Sequence, residues 1–233
     1  MEKEAIAAIR ERIASACARS RRAPAQVTLI AVTKGRPVQQ IRRVLGAGVC
    51  DIGENKMQEV LLKYDTLTAA AGAPGVRWHM IGHLQTNKVK QAVTIFDLIH
   101  SVDSVQLGRE IDRRAAAIGK VQDVLIEVNT SAETAKYGVA PADAPDVVKQ
   151  IALLDHVRVR GLMTMAPVVG RAEEARPFFQ RLRLVLDRIN AAQITGQPLQ
   201  VLSMGMSDDF EVAIEEGATM IRVGRALFDY DRE

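Results

Sequence analysis

Three short stretches of this 233-residue chain hold residue types whose spacing could do chemistry. Lys34 follows residues 27–33, an apolar and β-branched run without glycine or proline. A lysine amine held among apolar walls gives up its proton more readily and becomes a nucleophile for carbonyls. The plainer alternative is a strand-end lysine whose stem lies along the protein and whose amine reaches water. Ser203-Met204-Gly205-Met206-Ser207 and Arg222-Val223-Gly224-Arg225 are the other two stretches. Glycine lets backbone approach a ligand closely, and a helix start offers free N–H groups to a phosphate. Ser207 can add a hydroxyl. Asp208 and Asp209 place negative charge in the same turn, so this reading requires both carboxylates to point away. Each stretch alone also reads as an ordinary glycine turn.

Arg222 shares a strand face with Met220, two residues away. An arginine on a barrel strand is seldom buried without a planar or anionic partner. The alternative is a surface arginine beside an acid. His79 and His83 show the four-residue spacing of helical zinc ligands. On a strand, that spacing separates the rings by roughly 13 Å, and no third ligand is evident. A metal site is rejected, and His79 reads as a packed histidine of a pocket wall.

These residues need elements to position them. Ile6, Ile9, Ile13 and Cys17 recur at helical spacing across residues 2–19. Short buried strands are expected at 27–33, 49–52, 77–81, 96–101, 123–128, 157–162, 200–204 and 219–223. Helices are expected between them at 38–45, 56–70, 87–92, 105–118, 142–153, 172–191 and 208–216. Pro37 and Pro141 suit first helical turns, Ser104 and Ser207 suit N-caps, and Gly46 and Gly217 suit helix ends. Eight strands alternating with helices predict a single (β/α)8 TIM barrel over residues 1–233, with an extra N-terminal helix. Strand C-termini carry active groups in such barrels. Here that rim reads Lys34, Glu54-Asn55, Gly82-His83, Ser101 with Asp103, Asn129, Thr164–Pro167, Gly205–Ser207 and Gly224-Arg225.

Composition sets the outer limits. The chain is 48% hydrophobic and 25% charged, which excludes a mostly disordered chain or a disulfide scaffold. Basic residues exceed acidic ones by 31 to 28 and aromatics are 4%, so nucleic-acid binding gains no support. Two separated cysteines, no apolar leader and no membrane-length run point to the cytoplasm.

The runs Ala31–Lys34, Gly53-Glu54-Asn55, Trp78–Lys88, Gly161–Met165, Ser203–Ser207 and Ile221–Gly224 together resemble the pyridoxal phosphate homeostasis protein family. The likeness spans essentially the whole chain in order. It implies an alanine-racemase-N-terminal-domain-like barrel holding pyridoxal 5′-phosphate (PLP) as a Schiff base on Lys34. By the same resemblance, Ser207, Gly224 and the Arg225 amide cradle the phosphate. Arg222 faces the pyridine nitrogen, while Asn55, His79 and Met204 line the ring. The sequence departs from the family at Lys56, where an aromatic is common, at Arg225, where threonine is common, and at Asp229, where glycine is usual.

An arginine opposite the pyridine nitrogen can only donate, so it keeps that nitrogen unprotonated and weakens the ring as an electron sink. Racemisation also needs acid–base groups on both faces of Cα. The relatives that racemise take one from a second domain, whereas here ten residues follow the last expected strand. The leading expectation is therefore a non-enzymatic carrier and buffer of PLP, with PLP-dependent apoenzymes as recipients; the family resemblance implies a monomer. The second is a low-activity amino-acid racemase using Tyr137 or a partner's residue. The third is a cofactor-free Schiff-base lyase.

Overall fold

The computed structural model describes residues 2–68, 75–131, 133 and 137–229. Its eight strands are β1 (Thr28–Val32), β2 (Asp51–Glu54), β3 (Arg77–Met80), β4 (Leu98–Val102), β5 (Gln122–Glu127), β6 (Val157–Met163), β7 (Val201–Ser203) and β8 (Met220–Val223). They pair in parallel and in sequence order, and β8 returns to β1 to close the barrel. The helices are α1 (Glu2–Arg19), α2 (Val38–Gly46), α3 (Met57–Leu61), α4 (Tyr64–Thr68), α5 (Val89–Ile95), α6 (Val105–Ala116), α7 (Ala144–Ala152), α8 (Arg176–Ala191), α9 (Phe210–Glu215) and α10 (Arg225–Phe228).

Every expected strand is present. The helix expected at 56–70 breaks into α3 and α4, with Lys63 in the turn between them; residues 69–70 lie outside the described residues. Ser104 caps α6 as expected, its hydroxyl accepting from the Leu107 N–H at 3.3 Å. Ser207 does not cap α9; Asp209 holds that position. Gly46 is still helical, and Gly48, at φ +83°, makes the turn instead. Pro145 rather than Pro141 occupies the first turn of α7.

Two apolar layers hold the barrel together. Outward strand residues such as Ile52, Ile99 and Ile126 pack with Ile41, Ile111, Phe179 and Leu182 of the helices. Inside, Leu98, Leu125 and Met163 form a separate cluster with Val201 and Met220. Each large apolar side chain so buried contributes about 1.5–3 kcal/mol. A Cβ on Gly161 would sit 1.9 Å from the Val201 carbonyl oxygen, so only glycine allows β6 and β7 to pair there. α10 is a single turn, and α1 lies against α2, α9 and α10. It buries Ile6, Ile9, Ile13 and Cys17 and ties to α9 through Arg12–Glu211 and Arg19–Glu215, at 2.9 and 2.6 Å.

Candidate functional site

Lys34 stands in a tight turn two residues beyond β1, and it is exposed. The apolar walls expected around its amine are therefore absent; the residues on either side of it are the ones held firmly. The Thr33 carbonyl accepts from Lys63 Nζ at 2.8 Å, and the Thr33 hydroxyl donates to Glu54 Oε1 at 2.6 Å. Lys63 also pairs with Glu54 at 2.7 Å, and the Gly35 N–H donates to Glu59 at 2.7 Å. Burial pushes the Glu54 carboxyl up, against the hydrogen bonds from Lys63 and Thr33. Arg36 grips Asp229 through two contacts, so the aspartate that departs from the family pattern anchors the loop after β1.

Asn55 follows β2 and is half-buried, and its Oδ1 is buried without a partner. Gly82, after β3, makes room for it: a Cβ there would lie 2.4 Å from the Asn55 carbonyl oxygen. An orphaned buried acceptor is costly unless a ligand satisfies it.

After β7 and β8 the chain forms a cradle. The amides of Gly224 and Ala226 both donate to Ser207 Oγ at 3.3 Å, with the Arg225 amide between them in sequence. Gly205 has φ +92°, and a Cβ there would meet Ala213 Cβ at 2.6 Å, so glycine is required for the loop to fold against α9. Both acids beside Ser207 are turned elsewhere. Asp209 accepts from the Met206 N–H at 2.6 Å, and Asp208 pairs with Arg225 at the surface. The Arg225 guanidinium thus belongs to Asp208.

Arg222 is 3% exposed. Its guanidinium donates to Ser203 Oγ at 2.6 Å and to the Thr164 carbonyl at 2.9 Å. Burial pulls it down to about 10, while the Glu127 and Asp209 carboxylates oppose that. His79 has both ring nitrogens engaged, Nε2 with Asp51 at 2.8 Å and Nδ1 with His100 at 2.9 Å. It can meet a ligand only through ring carbons. Met204 is fully buried within the cluster that holds Leu202, Phe210 and Leu227, so its side chain offers no surface to the mouth. At the rim, Tyr137 stacks on His83 at 3.8 Å between centroids, and His83 Nδ1 lies 3.4 Å from Asp103. Tyr230 lies outside the described residues.

Sequence reasoning missed Glu127, His100 and Lys63, and it named Ser203 and Glu54 without finding the partners they bind. Glu127 ends β5, and burial, with Asp103 adding to it and Arg222 opposing, pushes its carboxyl up to about 7. Glu54, His100, Glu127 and Ser203 carried a usable signal, each a polar side chain on a buried strand; Lys63, in the turn between α3 and α4, carried none.

Taken together, the mouth gathers an accessible amine, an unpaired amide oxygen, a buried guanidinium and a backbone cradle on neighbouring elements. That set of donors with one acceptor suits a planar carbonyl compound bearing a phosphate. Residues 5–231 match the family of the alanine racemase N-terminal domain. A pyridoxal phosphate homeostasis protein of Aquifex aeolicus is 42% identical over 225 residues, covering 97% of this chain and 96% of that one. The solved structure of PipY from Synechococcus elongatus PCC7942 with PLP bound is 40% identical, with TM-score 0.81, covering 94% of this chain and 99% of that one. Alanine racemase of Clostridium difficile 630 shares the fold at 12% identity and TM-score 0.72, with 93% of this chain covering 54% of that one.

Proposed function

The chain belongs to the alanine racemase N-terminal domain family, and from that premise we propose that it binds PLP reversibly and buffers its free level. Lys34 would hold the cofactor's aldehyde as a Schiff base, its amine replacing the aldehyde oxygen, which leaves as water. Ser207, with the Gly224 and Arg225 amides, receives the phosphate, and Arg222 faces the pyridine nitrogen. Bound there, the cofactor supplies an electron-accepting ring; the protein's residues hold it and meet its nitrogen with a donor.

The observation that carries this reading is the meeting of β8, β1 and β2 at the mouth. β1 pairs with β8 through Ala31 and Val223, so the Lys34 turn and the Gly224 cradle emerge side by side. Gly224 has room for this approach, with Val32 Cβ 3.4 Å from where its own Cβ would be. Asn55, at the end of the next strand, brings the unpaired oxygen. What surrounds these groups supports a carrier role. Arg222 cannot protonate the pyridine nitrogen, and Tyr137, the candidate second base, is committed to stacking on His83 at the rim. The same reading makes the protein a cytoplasmic monomer that hands PLP to apoenzymes.

The test is an absorption spectrum before and after borohydride, followed by peptide mass mapping. A visible band removed by reduction, with the pyridoxyl adduct on Lys34, is expected. A colourless protein that takes up no added PLP would overturn the reading, and Cα proton exchange dependent on Lys34 would replace the carrier with a racemase.

A further inference from the structure

We propose that Ser203 and His100 are positioning residues for Arg222, the links of a one-way hydrogen-bond chain running through the barrel to Asp51. The proposal rests on the reading above only for what Arg222 meets at the mouth; the chain itself belongs to the protein alone.

The links are continuous and buried. Arg222 Nη1 lies 2.6 Å from Ser203 Oγ, Ser203 Oγ lies 2.9 Å from His100 Nδ1, and His100 Nε2 lies 2.9 Å from His79 Nδ1. His79 Nε2 lies 2.8 Å from Asp51 Oδ1, and Asp51 Oδ2 takes Arg77 at 2.6 Å. Five strands contribute, β8, β7, β4, β3 and β2 in turn. The far end reaches a cleft of about 420 Å³ lined by Arg10, Cys50, Asp51 and Arg77.

The two ends dictate the direction of every bond. Arg222 can only donate, so Ser203 Oγ accepts from it. Burial works against the Asp51 charge, but the bonds from His79 and Arg77 outweigh it and keep the carboxyl low, so Asp51 accepts. His79 therefore carries its proton on Nε2. His100 is held far below the usual histidine range by full burial and by the nearby His79 and Arg222, and it is neutral. A neutral His100 donates from one nitrogen only. If Nε2 donates to His79, Nδ1 accepts the Ser203 hydroxyl proton and each link has one donor and one acceptor. If instead Nδ1 donates, Ser203 Oγ accepts twice, and its own hydrogen has no acceptor among the described residues while facing a guanidinium. His79 would then need a second proton. Only the first arrangement satisfies all the groups without adding a proton, and a buried polar network missing one partner is worse than none.

The chain has a consequence at the mouth. Ser203 and the Thr164 carbonyl take two of the five guanidinium N–H donors and fix the plane of the group. Whichever of the remaining donors meets a ligand therefore does so in a set orientation. Without the Ser203 hydroxyl, the guanidinium keeps one anchor and can rotate about it.

Two measurements decide the matter. The first uses the unloaded protein: two-bond ¹H–¹⁵N correlations at pH 7.5 should show His79 and His100 both as Nε2–H tautomers. Nδ1–H on either ring, or a doubly protonated ring, overturns the chain. The second compares Ser203→Ala with Ser203→Thr, which keeps the hydroxyl. Arg222 side-chain N–H resonances of the unloaded protein should stay sharp in the wild type and Ser203→Thr and exchange-broaden in Ser203→Ala. In loaded protein, the PLP dissociation constant should rise about ten-fold for Ser203→Ala and stay within about two-fold for Ser203→Thr. His100→Gln should weaken binding similarly, and adding it to Ser203→Ala should have little further effect, since both act through one group. Unchanged Arg222 resonances in Ser203→Ala, or additive losses in the double variant, overturn the positioning role. A protein with the expected tautomers that binds no PLP would instead refute the proposed function and leave the chain standing.

Discussion

At the floor of the barrel, charges are settled among themselves. Asp51 takes Arg77 and Asp123 takes Arg158, both at 2.6 Å, beside an inner apolar cluster of Leu98, Leu125 and Met163. At the mouth, the same strands end on groups left open: an exposed Lys34, an unpaired Asn55 Oδ1 and a carboxyl, Glu127, held near 7. The contrast teaches where stability and ligand binding are separated. Floor substitutions outside the Arg222–Asp51 chain should spare the ligand, whereas substitutions of the open groups at the mouth should weaken its binding.

The sharpest break is Gly161→Ala, where the added methyl would press into the Val201 backbone. It should cost about 4 kcal/mol, read by urea denaturation, and a loss below about 1 kcal/mol would refute the contact. Leu125→Ala opens the inner apolar cluster and should cost about 3 kcal/mol in the same assay. Glu127 sharpens the comparison from the mouth side. Its folded-state value of about 7 lies above the ordinary 4.5, so the fold binds this proton more tightly than the unfolded chain does. Its stabilising contribution is full below about pH 4.5 and is lost as pH rises through about 7. Glu127→Gln should therefore gain about 3 kcal/mol at pH 8 and almost nothing at pH 4.

Lys34→Ala should change stability by less than about 0.5 kcal/mol, because the residue is exposed. It should nonetheless abolish the borohydride-fixed adduct. Arg158→Ala, at an exposed floor pair, should cost only about 0.5 kcal/mol and leave PLP uptake unchanged. A floor variant that lost PLP uptake while keeping its stability would erase the division.

Much of the architecture was legible beforehand. Eight apolar runs separated by helical spacing favoured a closed parallel barrel over an open sheet, and the polar rim fell at the strand C-termini. Ser104 announced its cap because a serine before an apolar helical repeat has a free N–H to satisfy. The departures were local. Ser207 looked like a cap from its place before a helix, but its hydroxyl serves two amides on the following strand's turn.

What sequence alone determined is the list of elements, their order and the chemistry gathered at one end, since these follow from hydrophobic period and turn residues. Tertiary structure decided which side of each strand faces inward. A barrel strand is covered on both faces, so its residues read as apolar throughout and carry no alternation to betray the inner one. Ser203 therefore turned inward to Arg222 while its neighbour Met204 joined the packed cluster of Leu202 and Phe210. Likewise, His79 meets His100 only because β3 lies beside β4 in parallel register, 21 residues apart in the chain. No spacing rule contains that contact; closure of the sheet makes it.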